Sequence, residues 1–155
     1  LHYPLRRQRQ MCIRDSNMNL HTVRSALPHV DTFPGDDQNE DPLNDVAFNL
    51  NLTKSDKVRT AFYSFNNKKS ICDFHKNDYE DLRTCWDRQK DIVKQKTWFL
   101  IDDEYENYKL EYIADIEYNS MILYPSHYWH NAYIKEDWFT DTDRITFTGF
   151  FELIK

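Results

Sequence analysis

Glycine is scarce in this sequence, since its 155 residues include only two. Loops that cradle phosphate groups depend on glycine, because the chain must turn sharply and its backbone amides must approach the phosphate closely. The sequence contains neither a GxGxxG nor a GxxxxGK[ST] pattern. These absences exclude the nucleotide-binding loops built on those patterns.

Cysteine is also rare, and its three positions, Cys12, Cys72 and Cys85, form no CxxC pair. An odd number of cysteines without paired spacing favours reduced thiols over a disulfide framework. We therefore expect a cytoplasmic protein. No apolar run approaches the roughly 18 residues of a membrane span, so we expect no membrane partner.

Positive charge is in deficit, since the formal net charge is −6. Nucleic-acid-binding proteins usually need a basic surface that neutralises phosphates, so we do not expect a nucleic acid partner. Hydrophobic residues make up 40% of the chain and aromatic residues 15%. This composition and length predict one folded domain with a core of its own.

The first sixteen residues differ in composition from the rest. They are rich in arginine and carry no acidic residue before Asp15, and residues 11–16, MCIRDS, resemble translated sequencing-adapter read-through. We expect residues 1–16 to be a non-native or disordered leader and residues 17–155 to be the functional core. A basic targeting arm is the alternative, although the segment lacks the apolar stretch of a signal peptide.

Most of the remaining chain reads as short β-strands. Stretches rich in β-branched and aromatic residues are separated by polar turns, and they lie at 20–27, 46–52, 60–65, 98–101, 108–117, 120–124 and 144–153. In the second of these, period-two alternation places Val46, Phe48, Leu50 and Leu52 on one face. The pattern predicts an antiparallel β-sandwich or barrel such as a jelly roll.

Two segments interrupt the strands. In residues 78–95 the positions Leu82, Cys85, Trp86, Gln89 and Val93 approximate a helical stripe, which predicts one inserted α-helix. Residues 32–44 are polar and contain two prolines and a glycine, which predicts a loop. Both segments are candidates for covering a substrate, because recognition is often carried by insertions beside a rigid site.

Three short blocks carry candidate chemistry. His29 and Asp31 form an HxD pattern, and at strand spacing their side chains point to one side and can converge on one metal ion. The second block, YPSHYWH, ends an apolar strand and terminates at His130. The third block opens a strand with Arg144, and Thr146 lies on the same face. An isolated HxD is near chance level in this composition, so the ordered trio carries the information.

In this order the blocks resemble the double-stranded β-helix family of iron(II)- and 2-oxoglutarate-dependent oxygenases. That family shows HxD, then a distant His after an "FPS…H"-like strand, then an Arg followed two positions later by a hydroxyl residue. The resemblance spans roughly residues 18–153. It departs from the family pattern at Arg59-Thr60-Ala61-Phe62, where Gly-Gly-x-x-Phe is common. The strands that normally precede HxD are short or missing here, so under this expectation the core lacks its N-terminal elements.

The resemblance implies a mostly β, jelly-roll or cupin-like fold and a set of site roles. His29, Asp31 and His130 would bind iron(II), while Arg144 and Thr146 would hold the far carboxylate of 2-oxoglutarate. Molecular oxygen is the implied third component. The implied reaction hydroxylates a substrate while 2-oxoglutarate is decarboxylated to succinate and CO2, with no catalytic residue expected beyond the metal ligands. Aromatic residues near the blocks would form the pocket wall, namely Tyr63, Tyr124, Tyr128 and Trp129.

Several alternatives remain open from the sequence. His127 competes with His130 as the distal ligand, but the family spacing favours His130. Arg144 on its own would be assigned to a surface salt bridge with Asp141 or Asp143. The protein could instead be a non-catalytic jelly-roll binding or structural domain, or a cupin-like metal enzyme that does not use 2-oxoglutarate. The substrate is not readable, and we expect a small metabolite or a protein side chain.

Overall fold

The structure is a computed structural model. It describes residues 11–15, 28–31, 45–79, 82, 101, 103–135, 138–139 and 143–152. The strands within these ranges are β1 (Met11–Asp15), β2 (Asp45–Asn51), β3 (Arg59–Phe65), β4 (Glu104–Tyr105), β5 (Tyr108–Asp115), β6 (Met121–Pro125), β7 (His130–Ala132) and β8 (Arg144–Glu152). Short 3-10 turns lie at Ile71–Asp73 and Lys76–Asp78. The mostly β prediction is therefore confirmed.

The strands form two four-stranded antiparallel sheets. The first sheet has the order β1-β8-β2-β6 and the second has the order β4-β5-β3-β7. A register shift between Phe62 and Tyr63 interrupts the β3–β5 pairing. Strands β4 and β7 were not predicted from the sequence, because with two and three residues they are too short to show alternation.

The facing sides of the two sheets carry buried polar side chains as well as apolar ones. On β2 the buried residues are Ala47, Asn49 and Asn51. Asn49 Nδ2 donates to Thr60 Oγ1 on β3 at 3.3 Å, which links one sheet to the other. The apolar residues predicted to share a face do share one, but that face is turned away from the second sheet. Alternation thus predicted the grouping of these side chains but not the side on which the site lies.

The hydrophobic core that the described residues form lies on the opposite side of the second sheet. Tyr63 and Phe65 of β3 pack there with Trp129, together with other buried residues that include Tyr108, Ile71, Leu82 and Ile101. The ring centroids of Phe65 and Trp129 are 5.4 Å apart. This core holds the second sheet rigid from behind, so the residues on its other side are presented by a fixed backbone.

Several predicted segments lie wholly or mostly outside the described residues. These are the strands at 20–27 and 98–101, the loop at 32–44, and the helix at 78–95, of which the structure describes only residues 78, 79 and 82. From the predicted leader, residues 11–15 are described, and they pair with β8 as β1. The leader assignment stays a prediction. Among the described helical segments, none has the length and apolar content to cross a membrane.

Candidate metal centre

The backbone brings His29, Asp31 and His130 together from opposite parts of the chain. His29 and His130 form an antiparallel bridge in which each backbone N–H donates to the other residue's carbonyl at 2.9 Å. The Asp31 N–H donates to the carbonyl of Ser126 at 2.9 Å. Ser126 belongs to the YPSHYWH block, so the HxD block is bonded at two points to the block that carries the distal histidine.

The side chains of these three residues converge. One donor atom from each lies within 4.8 Å of the others. Asp31 Oδ2 is 3.3 Å from His130 Nε2, and Asp31 Oδ1 is 3.7 Å from His29 Nε2. The ring centroids of the two histidines are 4.6 Å apart. Two imidazoles and one carboxylate that converge in this way could hold a metal ion.

His130 is held in the tautomer that a metal ligand needs. Its Nδ1 lies 2.9 Å from the backbone carbonyl of Tyr128, which can only accept, so Nδ1 carries the proton and Nε2 presents its lone pair. The pKa of His130 is lowered to about 4, first by burial and then by the neighbouring His29, while Asp31 opposes the shift. The imidazole is therefore neutral near pH 7 and available for coordination.

A cavity of about 200 Å³ opens between the two sheets beside this cluster. His29, Asp31 and His130 line it, and so do Arg144 and Thr146 of β8. Each of the two β8 side chains is only 1% exposed. The predicted metal ligands and the predicted carboxylate-binding pair thus share one cavity. Its volume is smaller than the roughly 300–1,000 Å³ typical of drug-sized ligands and suits a small molecule.

Polar residues that the sequence analysis missed also line the cavity. Asn49 and Thr60 are the clearest examples, and both are buried. Asn49 Oδ1 and Thr146 Oγ1 have no hydrogen-bond partner within the described part of the chain. The sequence feature that could have identified Asn49 is its alternation with Asn51 on one face of β2. The sequence does not show, however, that this face is turned inward.

Tyr124 of β6 lines the cavity and interacts electrostatically with both Asp31 and Arg144. Its ring centroid is 4.6 Å from that of His130. The pKa of Tyr124 is raised, first by burial and then by the carboxylate of Asp31, while Arg144 opposes the shift. The phenol therefore stays protonated. It is a neutral hydroxyl in the cavity wall.

The other proposed wall residues lie elsewhere. Tyr63 and Trp129 do not line the cavity, because they pack in the hydrophobic core behind the second sheet. Tyr128 is not in the lining either, and its contribution to the site is the carbonyl that fixes His130. Among the described aromatic residues, the lining contains Phe48, Tyr124 and Phe150 in addition to the histidines. Phe48 borders the cavity although strand alternation places its side chain on the outer side of the first sheet.

His127, the alternative distal ligand, contacts Ser70. Its Nδ1 lies 2.7 Å from Ser70 Oγ, and the side chain is buried. Ser70 also caps the 3-10 turn Ile71–Asp73. His127 is absent from the cluster of possible metal ligands and from the cavity lining. His127 therefore packs beside that turn and lies outside the ligand cluster.

Comparisons with protein-family models, curated proteins and solved structures found no match.

Proposed function

We propose that this protein is an iron(II)- and 2-oxoglutarate-dependent dioxygenase that hydroxylates a small metabolite or a protein side chain. One observation carries the proposal: a single cavity is lined both by the His29-Asp31-His130 cluster and by Arg144 with Thr146. Taken alone, the HxD pattern is close to chance in this composition, and Arg144 alone would be assigned to a salt bridge. Together they provide a metal site and a cationic end for a dicarboxylate, which are the two binding functions that this chemistry requires.

The cluster fits an iron(II) ion by the chemistry of its donors. His29, Asp31 and His130 would hold the ion, and three protein donors would leave further coordination positions for co-substrate and oxygen. His130 presents Nε2 because its Nδ1 is bound to the Tyr128 carbonyl. Iron(II), when bound with 2-oxoglutarate, supplies oxygen activation coupled to decarboxylation of the co-substrate to succinate and CO2. The protein supplies position and exclusion of water.

The β8 residues fit the far carboxylate of 2-oxoglutarate. A guanidinium is permanently charged and planar, so it can bind a carboxylate through two parallel hydrogen bonds. Burial of Arg144 strengthens this interaction, because little water competes with the ligand inside the cavity. The Thr146 hydroxyl, two positions along the same strand face, offers a further hydrogen bond. These residues bind and orient the co-substrate and take no part in proton transfer.

The topology supports a jelly-roll assignment. The chain changes sheets in passing from β2 to β3, from β5 to β6, from β6 to β7 and from β7 to β8. Each sheet therefore pairs strands that are distant in sequence, such as β8 with β2 and β3 with β7. This alternation between two antiparallel sheets is the pattern of a jelly roll, the architecture that the family resemblance implies.

Anaerobic titration of the metal-free protein tests the proposal. Iron(II) followed by 2-oxoglutarate should produce a visible metal-to-ligand charge-transfer band, because the keto acid chelates the bound iron. Succinate, which lacks the keto group, is the matched control and should produce no band. A folded protein that binds iron but gives no band is a metal protein that does not use 2-oxoglutarate. A folded protein that binds neither is a non-catalytic binding or structural domain.

A further inference from the structure

Asn49 of β2 and Thr60 of β3 form a polar pair that spans the gap between the two sheets. Asn49 Nδ2 donates to Thr60 Oγ1 at 3.3 Å. Both residues line the cavity, and Asn49 is 6% exposed and Thr60 1% exposed. The metal cluster and the two β8 residues account for neither of them, although a buried polar atom normally has a hydrogen-bond partner.

Asn49 also carries a polar atom that the described part of the chain leaves unsatisfied. Its Oδ1 is buried and has no hydrogen-bond partner there, and Thr146 Oγ1 on the neighbouring strand β8 is in the same condition. Strand pairing sets Asn49 opposite Thr148, so Thr146 is its diagonal neighbour on the same face, with the Cα atoms about 7–8 Å apart. One polar group of a ligand can therefore lie between Asn49 and Thr146 and contact both.

The charges that line the cavity indicate which group this is. Arg144 precedes Thr146 by two positions on the same face of β8 and brings a buried positive charge to this end of the cavity. The acidic residue among the described lining residues, Asp31, belongs to the metal cluster. An anionic group is therefore favoured beside Arg144. A carboxylate has two acceptor oxygens, which together can take hydrogen bonds from Arg144, Thr146 and Asn49.

The amide of Asn49 can turn to suit a carboxylate. A carboxylate accepts hydrogen bonds and donates none, so Asn49 must offer it an N–H. The oxygen and nitrogen of a carboxamide have nearly the same shape, and a half-turn about the Cβ–Cγ bond exchanges them. Thr60 permits both orientations, because its hydroxyl can accept from Nδ2 or donate to Oδ1. With a carboxylate bound, the half-turn gives both amide atoms of Asn49 a partner.

We propose that Asn49 binds the far carboxylate of the co-substrate together with Arg144 and Thr146, and that Thr60 is a positioning residue that turns the amide hydrogens toward it. This inference rests on the proposed function and adds a selectivity to it. The buried end of the cavity should favour keto acids that carry a second carboxylate. The amide adds a donor without adding charge, so one guanidinium and one carboxylate stay balanced.

Titration of the charge-transfer band with two keto acids tests the inference. 2-Oxobutyrate chelates iron(II) through the same keto acid group as 2-oxoglutarate but has no far carboxylate. Asn49→Ala should weaken 2-oxoglutarate binding by roughly 10-fold, the effect of one hydrogen bond to a charged group, and leave 2-oxobutyrate binding unchanged. Asn49→Asp sets a negative charge against the far carboxylate and should weaken 2-oxoglutarate binding by at least about 100-fold.

Two variants of Thr60 test its positioning role. Thr60→Val removes the hydroxyl and should weaken 2-oxoglutarate binding by roughly 3-fold, whereas Thr60→Ser keeps the hydroxyl and should retain the wild-type affinity. Binding of 2-oxobutyrate should stay unchanged in both variants. So should the affinity for iron(II), measured by anaerobic calorimetry. Equal affinities of the valine and serine variants for 2-oxoglutarate would remove Thr60 from this role.

The contrary outcomes separate this inference from the proposed function. A wild-type band with unchanged 2-oxoglutarate affinity in Asn49→Ala and Asn49→Asp overturns the inference and leaves the proposed function intact. Equal weakening toward both keto acids places Asn49 at the metal end and also overturns it. A wild type without a band overturns the proposed function and this inference with it. Aspartate has the shape of asparagine, so Asn49→Asp decides the question if circular dichroism shows that Asn49→Ala does not fold.

Discussion

His29 and His130 are joined through their backbones by two reciprocal hydrogen bonds of 2.9 Å, and their imidazole rings lie side by side with centroids 4.6 Å apart. Distant parts of the sequence thus supply two candidate ligands through sheet pairing. His130 lies on β7, which is paired with β3, and β3 packs on the main hydrophobic core. Backbone pairing and the packing of β3 therefore fix where the two candidate ligands lie.

Replacing the distal histidine should abolish metal binding. His130→Ala removes the Nε2 donor, and we expect the affinity for iron(II) to fall by at least about 100-fold. Anaerobic calorimetry with iron(II) measures the change. His127→Gln is the matched control, because His127 bonds to Ser70 and lies outside the ligand cluster. It should keep its metal affinity and lose about 1–3 kcal/mol of folding stability from the disturbed buried hydrogen bond. The reverse pattern would identify His127 as the ligand.

The metal-free protein should lose stability on mild acidification. The folded-state pKa of His130 is about 4, against an unfolded value of 6.5. Between these values the unfolded chain takes up a proton that the folded chain does not, so stability is fully present above about pH 6.5 and falls as the pH drops toward 4. The loss attributable to this residue approaches roughly 3 kcal/mol toward pH 4, of which about 2 kcal/mol falls between pH 7.5 and 5. Urea unfolding with chelator at pH 7.5, 6 and 5 measures it.

The His130→Gln variant tests whether His130 causes that pH dependence. His130→Gln keeps a polar side chain of similar size but cannot titrate. Its stability should therefore vary less with pH across this range than that of the wild type. Equal slopes in the two proteins would mean that other groups cause the acid sensitivity.

The sequence predicted which side chains converge better than it predicted what surrounds them. His29, Asp31 and His130 were identified from order and spacing, and they do converge, because strand geometry makes i and i+2 share a face and pairing brings the histidines together. Arg144 and Thr146 follow the same period-two rule and line the same cavity.

What the sequence could not show is which face of each strand is turned toward the site. On β2 the apolar face is the outer one, and the inner face carries Asn49. The usual expectation that only apolar residues point inward fails here, because buried polar side chains such as Asn49, Thr60 and Arg144 line the cavity between the sheets. Tyr63 and Trp129 were misplaced for the same reason, since proximity in sequence to a site residue does not fix the side of a sheet.

Arg144→Lys should weaken 2-oxoglutarate binding and spare the metal. Lysine keeps the charge but cannot form two parallel hydrogen bonds with a carboxylate, so we expect at least a 10-fold weaker affinity, or about 1.4 kcal/mol. Titration of the charge-transfer band with 2-oxoglutarate measures this change. Arg59→Lys is the control, since Arg59 pairs with Asp115 and lies outside the cavity lining. Parallel loss of iron(II) affinity in Arg144→Lys would show that Arg144 supports the metal site instead.

Thr146→Val should weaken 2-oxoglutarate binding without lowering the folding stability. The Thr146 hydroxyl is buried and has no hydrogen-bond partner among the described residues. Valine has nearly the same shape, so removing the hydroxyl should leave the free energy of unfolding unchanged or slightly increased. The affinity for 2-oxoglutarate should fall by roughly 5-fold, which corresponds to about 1 kcal/mol for one hydrogen bond. A destabilised variant with unchanged affinity would assign the hydroxyl a structural role.

Gly149 marks a close approach on the outer side of the first sheet. A Cβ at this position would lie 2.6 Å from Cε1 of Phe48. The Phe48 ring is confined by Phe151, at a centroid distance of 4.9 Å, and by Phe147, at 5.5 Å. Gly149→Ala should therefore cost roughly 1–3 kcal/mol of folding stability through overpacking. This cost exceeds the gain of about 0.4–1 kcal/mol from restricting the unfolded chain.

A double-variant cycle tests the cause of that loss. Phe48→Leu removes the ring that the new methyl group would meet, so Gly149→Ala in the Phe48→Leu background should be neutral or stabilising. Urea unfolding of the wild type, both single variants and the double variant gives the coupling energy directly. An equal cost of Gly149→Ala in both backgrounds would place the strain in the β8 backbone and not in the contact with Phe48.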